Sequence, residues 1–464
     1  MIRLPRVTPR SPRSIDMTEG PLFKNVLFFS LPLMLSGILQ LLFNAADTIV
    51  VGRFAGEAAL AAVGSVGSLN NLIVSLFIGL ATGSNVVVAR LLGARDIKGV
   101  QDAVHTSVTI SIISGVILAI LGFFLARPML LMMGSPEDVI DLSVLYVRII
   151  FLGMPVQMLY NFCAAILRSV GDTKRPLYFL TVSGVVNVVL NLFFVIVLGM
   201  TVDGVALATI ISQVVSAVLV VKSLTLREDA VHLDLRKLRI VPSILRQIFK
   251  IGLPSGIQGS LFSVSNVLIQ SSVNSFGTIA MAGNAAAGNI GGFVYQGLSA
   301  FVQAVTSFVS QNMGARKPRR AMKSMWACHM WSFIFSSILG ILSVVFGEQL
   351  LSLYNTDPEV IRWGMERMVI VHLPYFLCGF MEIFSGALRG IGFSILPMCV
   401  SLLGACVFRI LWIYTIFQKI RTMECLLISW PASWVLSTII MGACFFWLFK
   451  HICKNYTPEE LSAN

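Results

Sequence analysis

The sequence predicts an all-α membrane protein with twelve transmembrane helices in two parallel-repeat six-helix lobes. The chain is 56% hydrophobic and 12% charged, with a mean hydropathy of +0.85. Soluble domains carry about 25% charged residues, so most of this chain must lie in lipid. Backbone groups find no water there, which restricts the spans to helices or a closed barrel. The apolar stretches run to about 20 residues without the two-residue alternation of barrel strands, and this favours helices.

Twelve apolar stretches follow one another along the chain. They lie at 26–50, 58–88, 104–126, 142–166, 177–199, 203–222, 248–274, 282–310, 326–346, 366–387, 395–417 and 425–449. They divide the chain into a cytoplasmic tail at 1–24, expected to be disordered over 1–20, an N-terminal lobe at 25–222, a cytoplasmic linker at 223–247, a C-terminal lobe at 248–450 and a cytoplasmic tail at 451–464.

The positions of the charges predict the orientation. Basic residues cluster in the loops at 90–100, 168–176, 223–247, 313–324 and 389–394, which face the cytoplasm if the N-terminus does. The outer loops are richer in acids, such as Glu137 and Asp357. The formal charge of +12 therefore indicates orientation in a membrane, with both termini cytoplasmic, rather than nucleic-acid binding.

The chain repeats itself at an offset of 221 residues. The matched positions include Gly56 and Gly277, Gly93-Ala94-Arg95 and Gly314-Ala315-Arg316, and Gly171 and Gly392. Each half contains six predicted helices, an even number, so both halves enter the membrane from the same side. This arrangement is typical of transporters built from parallel repeats.

Polar residues form a stripe on the first helix. Ser36, Gln40, Asn44 and Asp47 follow one another at spacings of four, four and three, which places them on one helix face. Asp47 is one of two acids well inside the predicted spans, and a mid-membrane carboxylate costs roughly 2.5–3.5 kcal/mol. We expect a functional role for Asp47, although snorkelling near Arg53 is the alternative. Pro32 predicts a bend in the same helix.

The fifth and sixth helices carry similar polar faces, with Ser183, Asn187 and Asn191 on one and Thr209, Gln213 and Ser216 on the other. Amide and hydroxyl oxygens beside one carboxylate suit Na⁺ or the orientation of a protonated acid. Hydrogen bonding between helices explains the same pattern, and the spacing alone leaves both interpretations open.

In the second half, neutral polar residues line faces of the seventh and eighth helices, and they predict either close helix packing or a cavity for amphipathic ligands. The candidate cavity residues are Gln40, Asn44, Asn266, Gln270, Asn274, Tyr295, Gln303 and Glu382. Glu382, the second acid inside a span, precedes Arg389 by seven residues on the tenth helix. We favour a structural pair with Arg389 over attraction of cationic ligands.

These residues resemble a known family. Leu31-Pro32-Leu33, Asn44 to Gly52, the repeated Gly-Ala-Arg loop and Gly386-Ala387-Leu388-Arg389-Gly390 are similar to motifs of multidrug and toxic compound extrusion transporters of the bacterial type. The resemblance implies two six-helix lobes and export of cationic or aromatic amphiphiles in exchange for H⁺ or Na⁺ by alternating access.

The resemblance also implies a cation-coupling site formed by Asp47, Asn187, Asn191 and Thr209, with a helix bend at Pro32. The family carries an acid at the position of Asn191, so one carboxylate is missing here. No metal other than Na⁺ at this site, and no cofactor, is implied. The expected partners are small-molecule substrates and membrane lipid, without nucleic acid, and the expected state is a monomer.

Two other functions remain as alternatives. A flippase for lipid-linked precursors would be expected to carry several basic residues in its cavity, and only Arg409 lies deep in a predicted span. A membrane-embedded enzyme or receptor would not need an internal repeat. The sequence contains no Walker A, HExxH or GxSxG motif, so we expect no catalytic site.

The orientation can be tested with reporter fusions. A fusion at Arg236 in the linker should report the cytoplasm, because an even number of predicted spans separates the linker from the N-terminus. A fusion at Asp357 should report the opposite side, because an odd number of predicted spans precedes it. An external signal at Arg236 would contradict the two-lobe organisation, since the halves would then have opposite topology.

Overall fold

The computed structural model describes residues 14–132, 139–457 and 460 of the chain, and all regular secondary structure in these ranges is helical. Several positions used above lie outside the described residues. They are 1–13 of the expected N-terminal tail, Glu137 of an expected outer loop, and 458, 459 and 461–464 of the expected C-terminal tail.

Twelve long helical segments lie within the described ranges, one for each predicted span. They are α1 (Leu22–Ala55), α2 (Glu57–Gly93), α3 (Ile97–Met132), α4 (Ile140–Leu152 and Met154–Ser169), α5 (Lys174–Val197), α6 (Val202–Thr225), α7 (Pro242–Asn274), α8 (Thr278–Gly314), α9 (Pro318–Val345), α10 (Pro358–His372 and Tyr375–Gly390), α11 (Ile395–Lys419) and α12 (Met423–Cys453).

Most of these segments satisfy the length and composition of a membrane span. Among the described residues, eight helices are long and apolar enough, and counting α4 and α10 as one span each raises the number to ten. The remaining two, α7 and α8, carry the serine, asparagine, glutamine and glycine faces noted in the sequence. Their lower hydropathy follows from these faces and not from insufficient length.

The chain forms two compact units. Among the described residues, unit 1 contains 14–15 together with those of Leu35–Gly252, and unit 2 contains Asp16–Met34 together with those from Leu253 onward. Two of the three divisions therefore fall inside helices, one in α1 and one in α7. The lobes at 25–222 and 248–450 stay a prediction from the sequence.

The internal repeat is visible in the backbone. Gly56 and Gly277 have φ of 90° and 92°, and Arg95 and Arg316 have φ of 57° and 56°. Gly171 and Gly392, the third pair at the same offset, also have positive φ. The two halves thus keep the same turn conformations at corresponding helix ends.

Both α4 and α10 are bent, by 46° and 45°. The bends follow from Pro155 and Pro374, which lack an amide donor and interrupt helical bonding. In each unit a glycine of the preceding helix makes room for the bent backbone. A Cβ on Gly115 would lie 2.3 Å from Pro155 Cα, and one on Gly340 would lie 2.4 Å from the His372 carbonyl oxygen. The sequence reading had treated each of these spans as a single helix.

The linker is packed against unit 1. The Arg227 guanidinium lies 3.4 Å from the Asp172 carboxylate, and both side chains are buried. Further along, the Asp234 amide donates to His105 Nε2 at 3.2 Å, and the Val241 amide donates to Thr106 at 3.1 Å. The Arg236 amide and then the Lys237 side chain hold the pKa of Asp234 below its usual value.

The described part of the expected N-terminal tail is folded, which corrects the expectation of disorder. Met17 is fully buried in unit 2. Its carbonyl oxygen accepts hydrogen bonds from Asn312 at 3.0 Å and Arg320 at 3.2 Å, and the Gly20 carbonyl oxygen accepts a second bond from Arg320. One apolar side chain and backbone carbonyl oxygens anchor this segment. Its polar composition therefore gave no sign that it is folded.

The repeated turn generates a stability prediction. Gly277 has φ of 92° and ψ of 173°, a region that is essentially confined to glycine, and nothing lies within 4 Å of its missing Cβ. Gly277→Ala should therefore lower the free energy of unfolding by about 1–3 kcal/mol through backbone strain alone.

Gly292→Ala is the matched control, since Gly292 lies inside α8 with open space around its missing Cβ and no positive φ. It should leave stability unchanged or raise it by up to about 1 kcal/mol. Thermal unfolding of the purified variants in detergent would compare them. Equal melting temperatures would show that the turn is not under conformational constraint.

Candidate functional site

The candidate coupling residues of unit 1 lie together in the structure. Asn191 Nδ2 donates a short hydrogen bond to the Asp47 carboxylate, and the same nitrogen lies 3.5 Å from Asn187 Oδ1. Asn187 Nδ2 in turn lies 3.5 Å from Thr209 Oγ1. A polar chain therefore runs from α1 through α5 to α6, and it contains all four residues that the family resemblance implied.

The surroundings of this chain are mainly apolar. Asn191 is fully buried and Asn187 nearly so, whereas Asp47 is partly exposed. A cluster of buried aliphatic residues packs beside them, including Val50, Val51, Val195, Val202 and Val205. The carboxylate is thus open to an incoming ion on one side and shielded from solvent on the other.

The helices change geometry next to these residues. π-helical turns occupy Val51–Ala55 at the end of α1 and Phe193–Val197 at the end of α5. Such turns are rare and occur frequently at functional sites, because they displace side chains from regular helical positions. They begin four residues after Asp47 and two after Asn191.

One acceptor among these four polar side chains has no donor. Asn191 Oδ1 is buried without a hydrogen-bond partner, while its Nδ2 is used by Asp47. Together with the Asp47 carboxylate, Asn187 Oδ1 and Thr209 Oγ1, it provides oxygens of the kind that hard cations prefer. The donor set is compatible with Na⁺ and with a proton on the carboxylate.

Other polar residues of unit 1 serve different purposes. Ser183 donates to the Ser212 carbonyl oxygen at 2.6 Å, which joins α5 to α6. Gln40 and Asn44 are exposed, and α1 runs through Pro32 as one continuous helix. This structure therefore records no break at Pro32.

In unit 2, two of the candidate cavity residues belong to a hydrogen-bonded network. Asn284 donates to Gln270 at 3.1 Å, and Gln270 donates to Asn274 at 3.0 Å. Asn284 also accepts from Arg367 at 2.5 Å. Asn284 connects the network, but sequence reasoning missed it because it lies among alanines and glycines, outside any polar stripe.

The remaining candidates of unit 2 lie apart from that network. Asn266 and Tyr295 are exposed and Gln303 is partly exposed. Glu382 is buried, with its carboxylate 3.8 Å from the Arg389 guanidinium, whose side chain is also largely buried. The partner that the seven-residue spacing suggested is therefore the residue that the structure places beside Glu382.

Comparison with known proteins finds one family model in each half of the chain. A family model described as MatE matches twice, over residues 32–193 and 254–415. The probable multidrug resistance protein YoeA of Bacillus subtilis is 29% identical and is aligned over 94% of this chain and 96% of its own length. The FAD transporter of Shewanella oneidensis is 25% identical over the same shares of the two chains.

Solved structures show the same fold. The outward-facing structure of a multidrug resistance MATE family transporter of the MOP superfamily aligns with a TM-score of 0.89 and 23% identity, over 96% of this chain and 100% of that one. The MatE match covers more than half of this sequence, once in each half. The chain is therefore a multi-pass membrane transporter that belongs to the MatE family.

Proposed function

We propose that the chain exports amphipathic, often cationic, small molecules in exchange for H⁺ or Na⁺ by alternating access. The observation that carries this proposal is the row of polar side chains that runs from Asp47 through Asn191 and Asn187 to Thr209. It joins a carboxylate to a buried acceptor that has no donor, on three helices of one unit. A cation is the partner that such a set of oxygens lacks.

Cation binding would change the role of Asn191. With Asp47 ionised, the amide nitrogen of Asn191 faces the carboxylate. When a proton or Na⁺ occupies the carboxylate, rotation of the amide would present Oδ1 to the cation and release Nδ2 towards Asn187. The site would thereby convert the neutralisation of one charge into a rearrangement between α1 and α5.

The membrane potential supplies the driving force for this exchange. Each elementary charge that moves inward contributes about 2.3 kcal/mol per 100 mV, which is enough for modest concentrative export. The proposal leaves both ions open, because the oxygens suit either. It places the linker and both termini in the cytoplasm of a bacterial plasma membrane, and assigns the lobes to 25–222 and 248–450.

The names of the relatives support an export function and leave the substrate open. The first relatives are named as probable multidrug resistance proteins, and one relative is named an FAD transporter. Drug-like amphiphiles are therefore the first substrates to test. Whole-cell dye efflux with and without an ion gradient would separate export from flippase or receptor activity.

The coupling site can be tested by changing Asp47 alone. Asp47→Asn keeps the size of the side chain but cannot exchange charge, so it should insert normally and lose most gradient-driven export. The measurement is ethidium transport by reconstituted vesicles under an imposed H⁺ or Na⁺ gradient. Asp141→Asn is the matched control, because Asp141 is an exposed carboxylate of unit 1 paired with Arg127. Full export by Asp47→Asn would overturn the proposed coupling site.

Asn191→Asp tests the same site from the other side. Two neighbouring carboxylates resist ionising together, so the pair should hold one cation more tightly than Asp47 alone. We expect transport by this variant to respond to lower Na⁺ concentration or to a shifted pH. An unchanged ion dependence would indicate that Asn191 does not contact the coupling cation.

We also propose that Glu382 is a structural partner of Arg389 and not an attractant for cations. Removal of one member of a buried pair leaves an uncompensated charge and costs about 3–5 kcal/mol. Glu382→Gln and Arg389→Gln should therefore reduce protein level and thermal stability to a similar extent, and impair cationic and neutral substrates equally. Glu359→Gln is the control, because its pair with Arg362 is exposed and worth at most about 1 kcal/mol. Selective loss of cationic substrates would assign Glu382 to substrate recognition.

A further inference from the structure

Unit 2 contains a deeply buried cation without a carboxylate. Arg409 on α11 is 3% exposed, and its guanidinium lies 4.7 Å from the centre of the Trp430 ring. Its hydrogen-bond acceptors are two neutral hydroxyls, Ser433 at 3.0 Å and Ser265 at 3.2 Å. Within the described part of the chain Arg409 makes no ion pair, whereas the buried Arg389 is paired with Glu382.

A second arginine lies over the same tryptophan. The Arg367 guanidinium on α10 is 5.3 Å from the centre of the Trp430 ring, and its hydrogen bonds go to the side chain and carbonyl oxygen of Asn284. Like Arg409, Arg367 has no carboxylate partner among the described residues. Two positive charges thus share one indole ring, where their mutual repulsion must be offset.

Two donors in this cluster are unused. Arg367 Nε and Trp430 Nε1 are both buried without a hydrogen-bond partner. Buried polar groups in native proteins nearly always have partners, and an unpaired donor or charge is costly. The arrangement becomes favourable if an anion accepts from these donors and balances the two guanidinium charges, because charge-assisted bonds are the strongest of this kind.

Aromatic rings extend from the same place. Trp434 lies 6.1 Å from Trp430, and Tyr375 lies 5.4 Å from Trp434, measured between ring centres. π-helical turns lie next to both arginines, at Met368–His372 and Leu402–Val407. Trp434 and Tyr375 are buried, so the flat apolar surface beside the charged donors is that of the partly exposed Trp430. This surface favours a ligand that has both an aromatic ring and an anionic group.

We propose that Arg367, Arg409 and Trp430 form a binding site for an aromatic organic anion that carries a phosphate, sulfonate or carboxylate group. The anionic group accepts from Arg367 Nε, Trp430 Nε1 and Arg409, and the ring packs against Trp430. The assignment of this ligand as a transported substrate rests on the proposed export function. Binding itself is a property of unit 2 and needs no ion gradient.

The test is equilibrium binding to the purified full-length protein in detergent. 4-Methylumbelliferyl phosphate is the probe, and 4-methylumbelliferone, at a pH where it is uncharged, is its counterpart without the anion. We expect the phosphate ester to bind at least about tenfold more tightly, since it gains charge-assisted hydrogen bonds. Equal affinities for the two compounds would overturn the proposal.

Variants locate the site. Arg409→Gln and Arg367→Gln should each weaken binding of the phosphate ester by about tenfold and leave binding of the neutral compound unchanged. Arg362→Gln is the matched control, because Arg362 also lies over a tryptophan, Trp363 at 5.4 Å, but is exposed and paired with Glu359. Loss of affinity in the control equal to that in the other two would contradict the assignment.

Trp430→Phe keeps the test valid if Arg409→Gln fails to fold. This variant retains a ring and removes a donor that is unpaired without ligand, so its melting temperature should be equal to or above that of the wild type. Its affinity for the phosphate ester should nevertheless fall. A stable variant with unchanged affinity would exclude Trp430 Nε1 from the site and overturn the proposed arrangement.

Two further comparisons separate the possible outcomes. Phosphatidylglycerol added to the micelles should not displace the probe; displacement would assign the cluster to a lipid headgroup instead of an aromatic substrate. Probe binding that persists while gradient-driven ethidium export is absent would contradict the proposed coupling and leave the anion site intact. Export without probe binding would contradict the anion site and leave the proposed coupling intact.

Discussion

In a chain that lies mostly in lipid, polar side chains must find their hydrogen-bond partners within the protein, because hydrocarbon offers none. The described structure follows this constraint from one helix to the next. Gln258 on α7 donates to Ser385 at 3.1 Å and to Ser401 at 2.9 Å, which joins three helices through one buried amide. The few places where partners are missing are therefore informative. Three of these groups belong to the candidate sites described above: Asn191 Oδ1 in unit 1, and Arg367 Nε and Trp430 Nε1 in unit 2.

The two units share a backbone plan and differ in the charge of the side chains at their candidate sites. Corresponding turns and bends recur at an offset of 221 residues, including the bends at Gly153 and Pro374. On this common plan, unit 1 places a carboxylate beside a free acceptor, and unit 2 places two guanidinium groups beside free donors. The repeat thus accounts for the architecture, while the chemistry of each half depends on a few side chains.

Much of the fold could be predicted from hydropathy and repetition, because both are properties of sequence order. The twelve segments, the 221-residue repeat and the grouping of Asp47 with Asn191 follow from apolar runs, a fixed offset and helical spacing together with the family resemblance.

The bends could not be placed, because a hydropathy window measures composition and not the direction of a helix axis. Arg367 was missed as a buried cation for a related reason. The predicted span began at residue 366, whereas α10 begins at Pro358 and carries Arg367 inward. The docking of Met17 depends on Asn312 and Arg320, which lie 295 and 303 residues away, and no local pattern reports such a contact.

The placement of the N-terminal segment in unit 2 has a consequence for how the chain is made. Met17 leaves the ribosome early, but its hydrogen-bond partner Asn312 is synthesised 295 residues later. At 5–20 residues per second this interval is roughly 15 to 60 seconds. During that time the buried methionine and its backbone acceptors have no native contacts in unit 2, while unit 1 gains its later helices. Docking of this segment on unit 2 must therefore wait until α8 and the start of α9 have been made. Any chaperone or lipid contact that shields residues 16–34 would act during this interval.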